Sequence, residues 1–169
     1  QEGTYPLPEA QLDRFLLHHT VDYPDASAEK DILRLNRAES IDESNTPAKK
    51  ISAESIFTAR KEIMALHMNE NVEEYLIQLV LASRNPGNYS KDLEEWIDFG
   101  ASPRATIALD RCARSLAWLE DVDYVSPDHI QAVAADVLRH RLILSFEAEA
   151  NGVSTNQVIS ELLSLVPIG

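Results

Sequence analysis

Few residues of this 169-residue chain are arranged to do chemistry by themselves. His18 and His19 are adjacent, so on a strand their side chains point to opposite faces and cannot grip one metal together. His129 and His140 have no carboxylate or cysteine partner at ligand spacing. The one cysteine, Cys112, falls inside an apolar stripe, where a packed thiol is expected rather than a nucleophile. Glu73-Glu74, Glu94-Glu95 and the stretch from Glu120 to Asp123 read as solvated faces. The phosphate-cradling pattern GxxxxGK(S/T) does not occur, so the chain is not expected to be a complete nucleotide enzyme. Arg104 stands apart from this background. It lies one residue into a helix opened by Ser102-Pro103, where free backbone N–H groups and the helix dipole favour an anion, and it is off the buried stripe. A solvated surface arginine is the plainer alternative.

The elements that must position these residues are mostly helical in pattern. Ser102 as N-cap and Pro103 at the first helical position start the clearest helix, with Ala105, Ala108, Leu109, Cys112, Leu116 and Leu119 as its buried stripe. Ser126-Pro127 repeats the start signal for a helix through about Arg139. Ser52 is expected to cap a helix carrying Ile56, Ala59, Ile63 and Leu66. A further helix runs from about Val72, and Ser154 caps a last one with Val158, Leu162 and Leu165. Asn85 to Phe99 looks irregular, with a turn of helix near Leu93 to Ile97, and Leu142 to Phe146 looks extended. Before this bundle, Pro8 to Phe15 predicts a short helix, Leu16 to Val21 a short strand, and Ser27 the cap of a helix over Ala28 to Ala38. The polar stretch from Glu39 to Lys50, with Pro47, is expected to be a linker. This divides the chain into 1–38, a linker 39–50, and a helical domain 51–169.

Composition sets outer bounds. An apolar fraction of 44% and a charged fraction of 25% are ordinary for a globular protein. With 28 acidic against 15 basic residues, the net charge of −13 disfavours non-specific nucleic-acid binding. No apolar run is long enough to span a bilayer and no secretory signal is visible, so a cytoplasmic location with no membrane span is expected. The chain opens without Met in what looks like a loop, the mark of a processed or cut product.

Two segments carry a family resemblance. The first is EGTYPLPEAQLDRF, Glu2 to Phe15. The second is FGASPRATIALDRCARSLAWL, Phe99 to Leu119, continued by DYVSPDHIQAVAADVLRHRL, Asp123 to Leu142. In order and spacing both resemble the MoxR family of AAA+ ATPases, and the similarity runs on through the helix ending in LVPIG. The resemblance implies a mainly α fold: the helical-bundle AAA+ lid subdomain, preceded by a short strand and helix left from the end of the α/β P-loop core. The phosphate loop, the Mg-binding acidic motif and the polar sensor would lie upstream of Gln1, so the chain alone would be inert towards ATP. Arg14, in LDRF, matches the arginine finger, which reaches a neighbouring subunit's γ-phosphate. A planar, permanently charged guanidinium suits that task. Arg104, in SPRA, matches the second sensor arginine, expected to face nucleotide in its own subunit. The family further implies ATP and Mg2+ in the intact protein, a homo-oligomeric ring (often a hexamer), remodelling or maturation of client proteins, and a von Willebrand factor A domain partner. A second reading is non-enzymatic: an acidic, all-helical protein-interaction module. Stripped of its sheet, the strand Leu16 to Val21 is expected to pack on the helical part or pair with another copy.

Overall fold

In the computed structural model, which describes residues 7–41 and 49–169, the sequence signal at Ser102-Pro103 becomes helix α6. To number it in chain order, the helices are α1 (Glu9–Leu12), α2 (Ala26–Ser40), α3 (Ala53–Ala65), α4 (Glu70–Arg84), α5 (Lys91–Trp96), α6 (Pro103–Leu119), α7 (Pro127–Leu138), α8 (Phe146–Ala150) and α9 (Thr155–Leu165). The described chain is mainly α, and it divides into two compact units. The larger joins the segment ending at His19 to Lys61–Gly169, and the smaller is Thr20–Arg60.

The larger unit is a helical bundle. Its centre is α6 against α7, whose contact is the most extensive between any two helices. Alanines 105, 108, 113 and 117 on α6 and Ala134 on α7 leave room for the backbones to approach closely. Around that seam Leu76, Leu79, Leu93, Leu109, Ile130, Leu138, Ile159 and Leu162 are fully buried, each worth about 1.5–3 kcal/mol relative to exposure. Two short ladders close the ends: β1 (His67–Met68) runs parallel to β3 (Tyr124–Val125), and β2 (Ile97–Phe99) antiparallel to β4 (Ile143–Leu144) with an irregular register. The extended reading of Leu142 to Phe146 therefore holds at Ile143–Leu144. The other strands are two or three residues long, too short to show a period of two.

The path into α6 is fixed by close packing. A Cβ on Gly100 would lie 2.3 Å from the carbonyl oxygen of Ser83, so only glycine fits there. Ser83 Oγ accepts the Ala101 N–H at 3.0 Å while donating to Val80 O at 2.7 Å. Arg84 Nε donates to Ala101 O at 2.7 Å. The end of α4 thus holds the residues that lead into α6.

In the smaller unit, α2 is capped by Asp25 rather than by Ser27. Asp25 has the extended backbone of a cap, and its carboxylate accepts the Ala28 N–H at 2.8 Å. Ser27 is already inside the first turn. A carboxylate also complements the positive helix end, which a hydroxyl does not. No residue of α2 is buried. Glu39 and Ser40, read as linker, form its last turn, and residues 42–48, Pro47 included, lie outside the described residues. At α3 the expected cap is present, with Ser52 Oγ accepting the Ser55 N–H at 3.0 Å.

The expected strand at Leu16 to Val21 does not form. A strand exists only where a neighbour takes its backbone groups, and here other partners have them. The His18 N–H donates to Asp136 O at 2.7 Å, and Arg139 donates to His18 O at 2.6 Å. The segment up to His19 packs on the helical part, the first of the two outcomes expected for it. Helix α1 is also shorter than Pro8 to Phe15. Pro8 is its N-cap, and after Leu12 the bonds Arg14 N–H to Gln11 O and Phe15 N–H to Leu12 O tighten the chain into a turn.

Candidate basic pocket at the start of α6

The turn after α1 presents Asp13 and then Arg14. The Asp13 carboxylate faces the N-terminus of α6, where Ser102 Oγ lies 3.0 and 2.8 Å from its two oxygens. Ser102 is also the helix cap, accepting the Arg104 N–H at 3.2 Å. Arg104, the second residue of the helix, reaches Asp13 Oδ2 through Nη1 at 3.4 Å, a long contact on a side chain that is 52% exposed. From the other side, Arg141 Nε donates to Asp13 Oδ1 at 3.1 Å.

Sequence reasoning missed Arg141. Its side chain is 2% exposed, and all five of its N–H donors are used. Beyond the Asp13 carboxylate they reach the carbonyl oxygens of Asp13, Phe15, Leu16 and Val137. One guanidinium therefore ties the whole turn carrying Arg14 to the end of α7. Nothing in its neighbourhood, a basic residue after a helix end, distinguishes it in the sequence from Arg139.

Electrostatics follow this geometry. Burial by itself would raise the Asp13 carboxyl. Hydrogen bonds from Ser102 and Arg104 and the charge and hydrogen bond of Arg141 outweigh it and hold the group below its usual range. Burial pulls the Arg141 guanidinium down and the Asp13 carboxylate opposes this. His140, whose Nε2 bonds Phe15 O at 3.2 Å, is held below the usual imidazole range by burial and by the Arg141 and His18 charges.

Arg14 is exposed and shares with Arg104 an open pocket of about 370 Å³, whose lining includes Asp13, Arg111 and Arg141. The structure thus brings the two arginines singled out in the sequence to one place. Arg111, given no role above, joins them. Its signal was legible: Arg104, Ile107, Ala108 and Arg111 are spaced i, i+3, i+4 and i+7, one stripe of a helix. Four guanidiniums against one carboxylate make this pocket basic on a chain of net charge −13. A larger pocket of about 530 Å³, lined by Glu62, Trp118, Asp121 and Asp123 among others, is acidic and unsuited to an anion.

The remaining candidates make contacts within the fold. The His19 ring bonds Asp136 at 2.9 Å. His129 Nδ1 takes the Ser126 N–H at 2.9 Å and its Nε2 bonds Glu120 at 3.1 Å, closing the start of α7. Cys112 is buried, and burial pushes its thiol up, away from reactivity. Among the described residues, no helix is long and apolar enough to cross a membrane.

The chain as a whole is similar to known proteins. The AAA lid domain family matches residues 90–162. The chaperone MoxR1 of Mycobacterium tuberculosis is 38% identical over 99% of this chain and 44% of its own length. The protein MoxR of Methylorubrum extorquens is 33% identical over 85% of the chain and 45% of its own. A crystal structure of a protein assigned as an ATPase from Cytophaga hutchinsonii superposes with a TM-score of 0.90 at 40% identity, over the full chain and 51% of that structure. The chain spans about half the length or less of the relatives it matches.

Proposed function

The chain belongs to the MoxR family of AAA+ ATPases and carries its helical lid, and we propose that it serves ATP hydrolysis by bringing Arg14 and Arg104 to the phosphates of a bound nucleotide. The observation that carries this reading is the basic pocket at the N-terminus of α6, where both arginines converge. A helix start with a serine cap and adjacent guanidiniums suits phosphate oxygens and does not suit a bare cation. ATP with its Mg2+ is the ligand that the family implies. The loop that cradles the phosphates has no counterpart among these 169 residues, so it must come from the rest of the protein. In the same reading residues 1–38 complete the α/β core, 39–50 link, and 51–169 form the lid. The half-exposed Ile32, Leu33 and Leu35 on α2 are then a face for that core to cover.

The intact protein works as a ring of identical subunits, a hexamer in the family pattern, in the cytoplasm. It remodels client proteins together with a von Willebrand factor A domain partner. Arg14 reaches across a subunit boundary, where a delocalised positive charge stabilises the transferring phosphoryl group. Its sharing of a pocket with Arg104 favours one nucleotide at that boundary as the target of both, over a second target within the subunit's own site.

The test uses the intact protein. Arg14→Ala is expected to lower kcat by a hundredfold or more, an order set by known arginine fingers, with ATP binding retained. Failure of the intact protein to bind nucleotide would sink the reading. Mixing Arg14→Ala with Arg104→Ala subunits then separates the geometries. If both arginines serve one neighbouring site, no mixed ring contains an intact site and activity stays lost. If Arg104 serves its own subunit, some mixed interfaces are complete and activity returns.

A further inference from the structure

The pocket contains an anion of its own. Asp13 is held from three sides, with its carboxylate against Ser102 at 2.8 Å, Arg141 at 3.1 Å and Arg104 at 3.4 Å. These contacts are unequal. Arg141 is buried with every donor engaged, and Ser102 is fixed as the cap of a 17-residue helix. Arg104 is half exposed, touches Asp13 through one nitrogen, and is the partner free to leave. A carboxylate and a phosphate oxygen ask the same thing of a guanidinium: a planar pair of N–H donors and a positive charge.

Resting on the reading above that Arg104 contacts nucleotide, we propose that Asp13 is a positioning residue that holds Arg104 in the nucleotide-free protein and competes with the phosphate for it. Arg141 and Ser102 keep Asp13 in place when Arg104 departs, so the carboxylate does not follow the arginine. Because Asp13 directly precedes Arg14, loading of Arg104 onto phosphate changes the charge balance beside Arg14. A net contact with Asp13 is lost, and the remaining arginines of the pocket face the ligand instead. The exchange links occupancy of one arginine to the surroundings of the other. No new bond to the nucleotide is required of Asp13 itself.

A competitor that is removed must make binding tighter, which a purely structural residue does not do. In the intact protein, Asp13→Asn is expected to lower the Kd for ATP (fluorescent analogue, hydrolysis blocked by omitting Mg2+) by about two- to fivefold, the scale of one exposed ion pair. In an Arg104→Ala background the same change is expected to have no effect on Kd. Asp13→Glu, which keeps the charge, should stay nearer to the parent. If Arg104→Ala alone leaves Kd unchanged, the nucleotide role of Arg104 fails. If Arg104→Ala weakens binding but Asp13→Asn does not tighten it, the competition fails while that role stands. Should Asp13→Asn not fold, a structure of the parent protein with a bound ATP analogue decides. Arg104 moved from Asp13 to a phosphate supports the exchange, and Arg104 on both at once overturns it.

Discussion

At the scale of single residues, Arg141 carries more of the site than either arginine that the sequence advertised. A buried guanidinium is costly unless every donor is paired, and here each is, four of the five bonds going to the segment Asp13 to Leu16. Arg141→Ala therefore strands the Asp13 and Leu16 carbonyls, leaves Phe15 O to His140 alone, and leaves Asp13 half-paired in a partly buried site. We expect a loss of about 3 kcal/mol in urea unfolding, the scale for breaking a buried pair on one side. Arg139→Ala removes a bond to Asn156, one to His18 O and an ion pair with Asp136 at 2.9 Å. Its cost should be clearly smaller, because solvent can replace the partners. Equal losses for the two variants would contradict the role given to Arg141.

At the scale of elements, the pocket depends on how α6 begins. Ser102 and Pro103 give the helix its start by local chemistry alone, but the direction of that start is set by Gly100 lying on the backbone of Ser83. Both the Ser83 carbonyl and the Arg84 nitrogen would lie within 2.7 Å of an added Cβ, and backbone atoms cannot swing aside as a side-chain end can. Gly100→Ala must then push the loop off α4, breaking the Ser83 to Ala101 bond. A loss of about 2–3 kcal/mol is expected from such overpacking. Thermal unfolding of the variant checks it, with Gly152→Ala as a contrast. At Gly152 the space is open and the strain comes only from its φ of +75°, so the loss there should be smaller, on the order of 1 kcal/mol.

At the scale of the whole molecule, acid should weaken the fold in two stages. His140 titrates below its usual 6.5 in the folded chain, chiefly through burial. As pH falls past 6.5 the unfolded state takes up that proton first, so stability falls until the folded pKa is reached and then levels. Asp13 and Asp136 titrate below their usual 3.8, their partners outweighing burial. The stability they supply is complete above that value and is lost as pH falls through their folded pKa values. Urea titrations between pH 7 and pH 3 should show both falls, and His140→Gln should remove only the first. A single fall confined to the carboxylate range in the parent protein would show that His140 is not held neutral by the fold.

What the sequence alone determined is local or periodic. The serine caps at Ser52, Ser102, Ser126 and Ser154, the Ala105 to Cys112 part of the α6 stripe (its expected end at Leu119 is exposed, and Ala113 and Ala117 are buried instead) and the family resemblance all rest on residues within a few positions of each other or on motifs in a fixed order. Hydrogen bonds between i and i+3 and a repeat near 3.6 are properties of the chain before it packs. The tertiary structure decided the rest. Asp13 and Arg141 are separated by 128 positions, and no spacing rule connects them. The strand expected at Leu16 to Val21 failed for the same reason, since a strand is defined by its neighbour. That Arg14 and Arg104 line one pocket is likewise a result of packing. Each residue's chemistry was legible from its type and local setting, whereas their convergence exists only once α6, α7 and the turn after α1 are brought together.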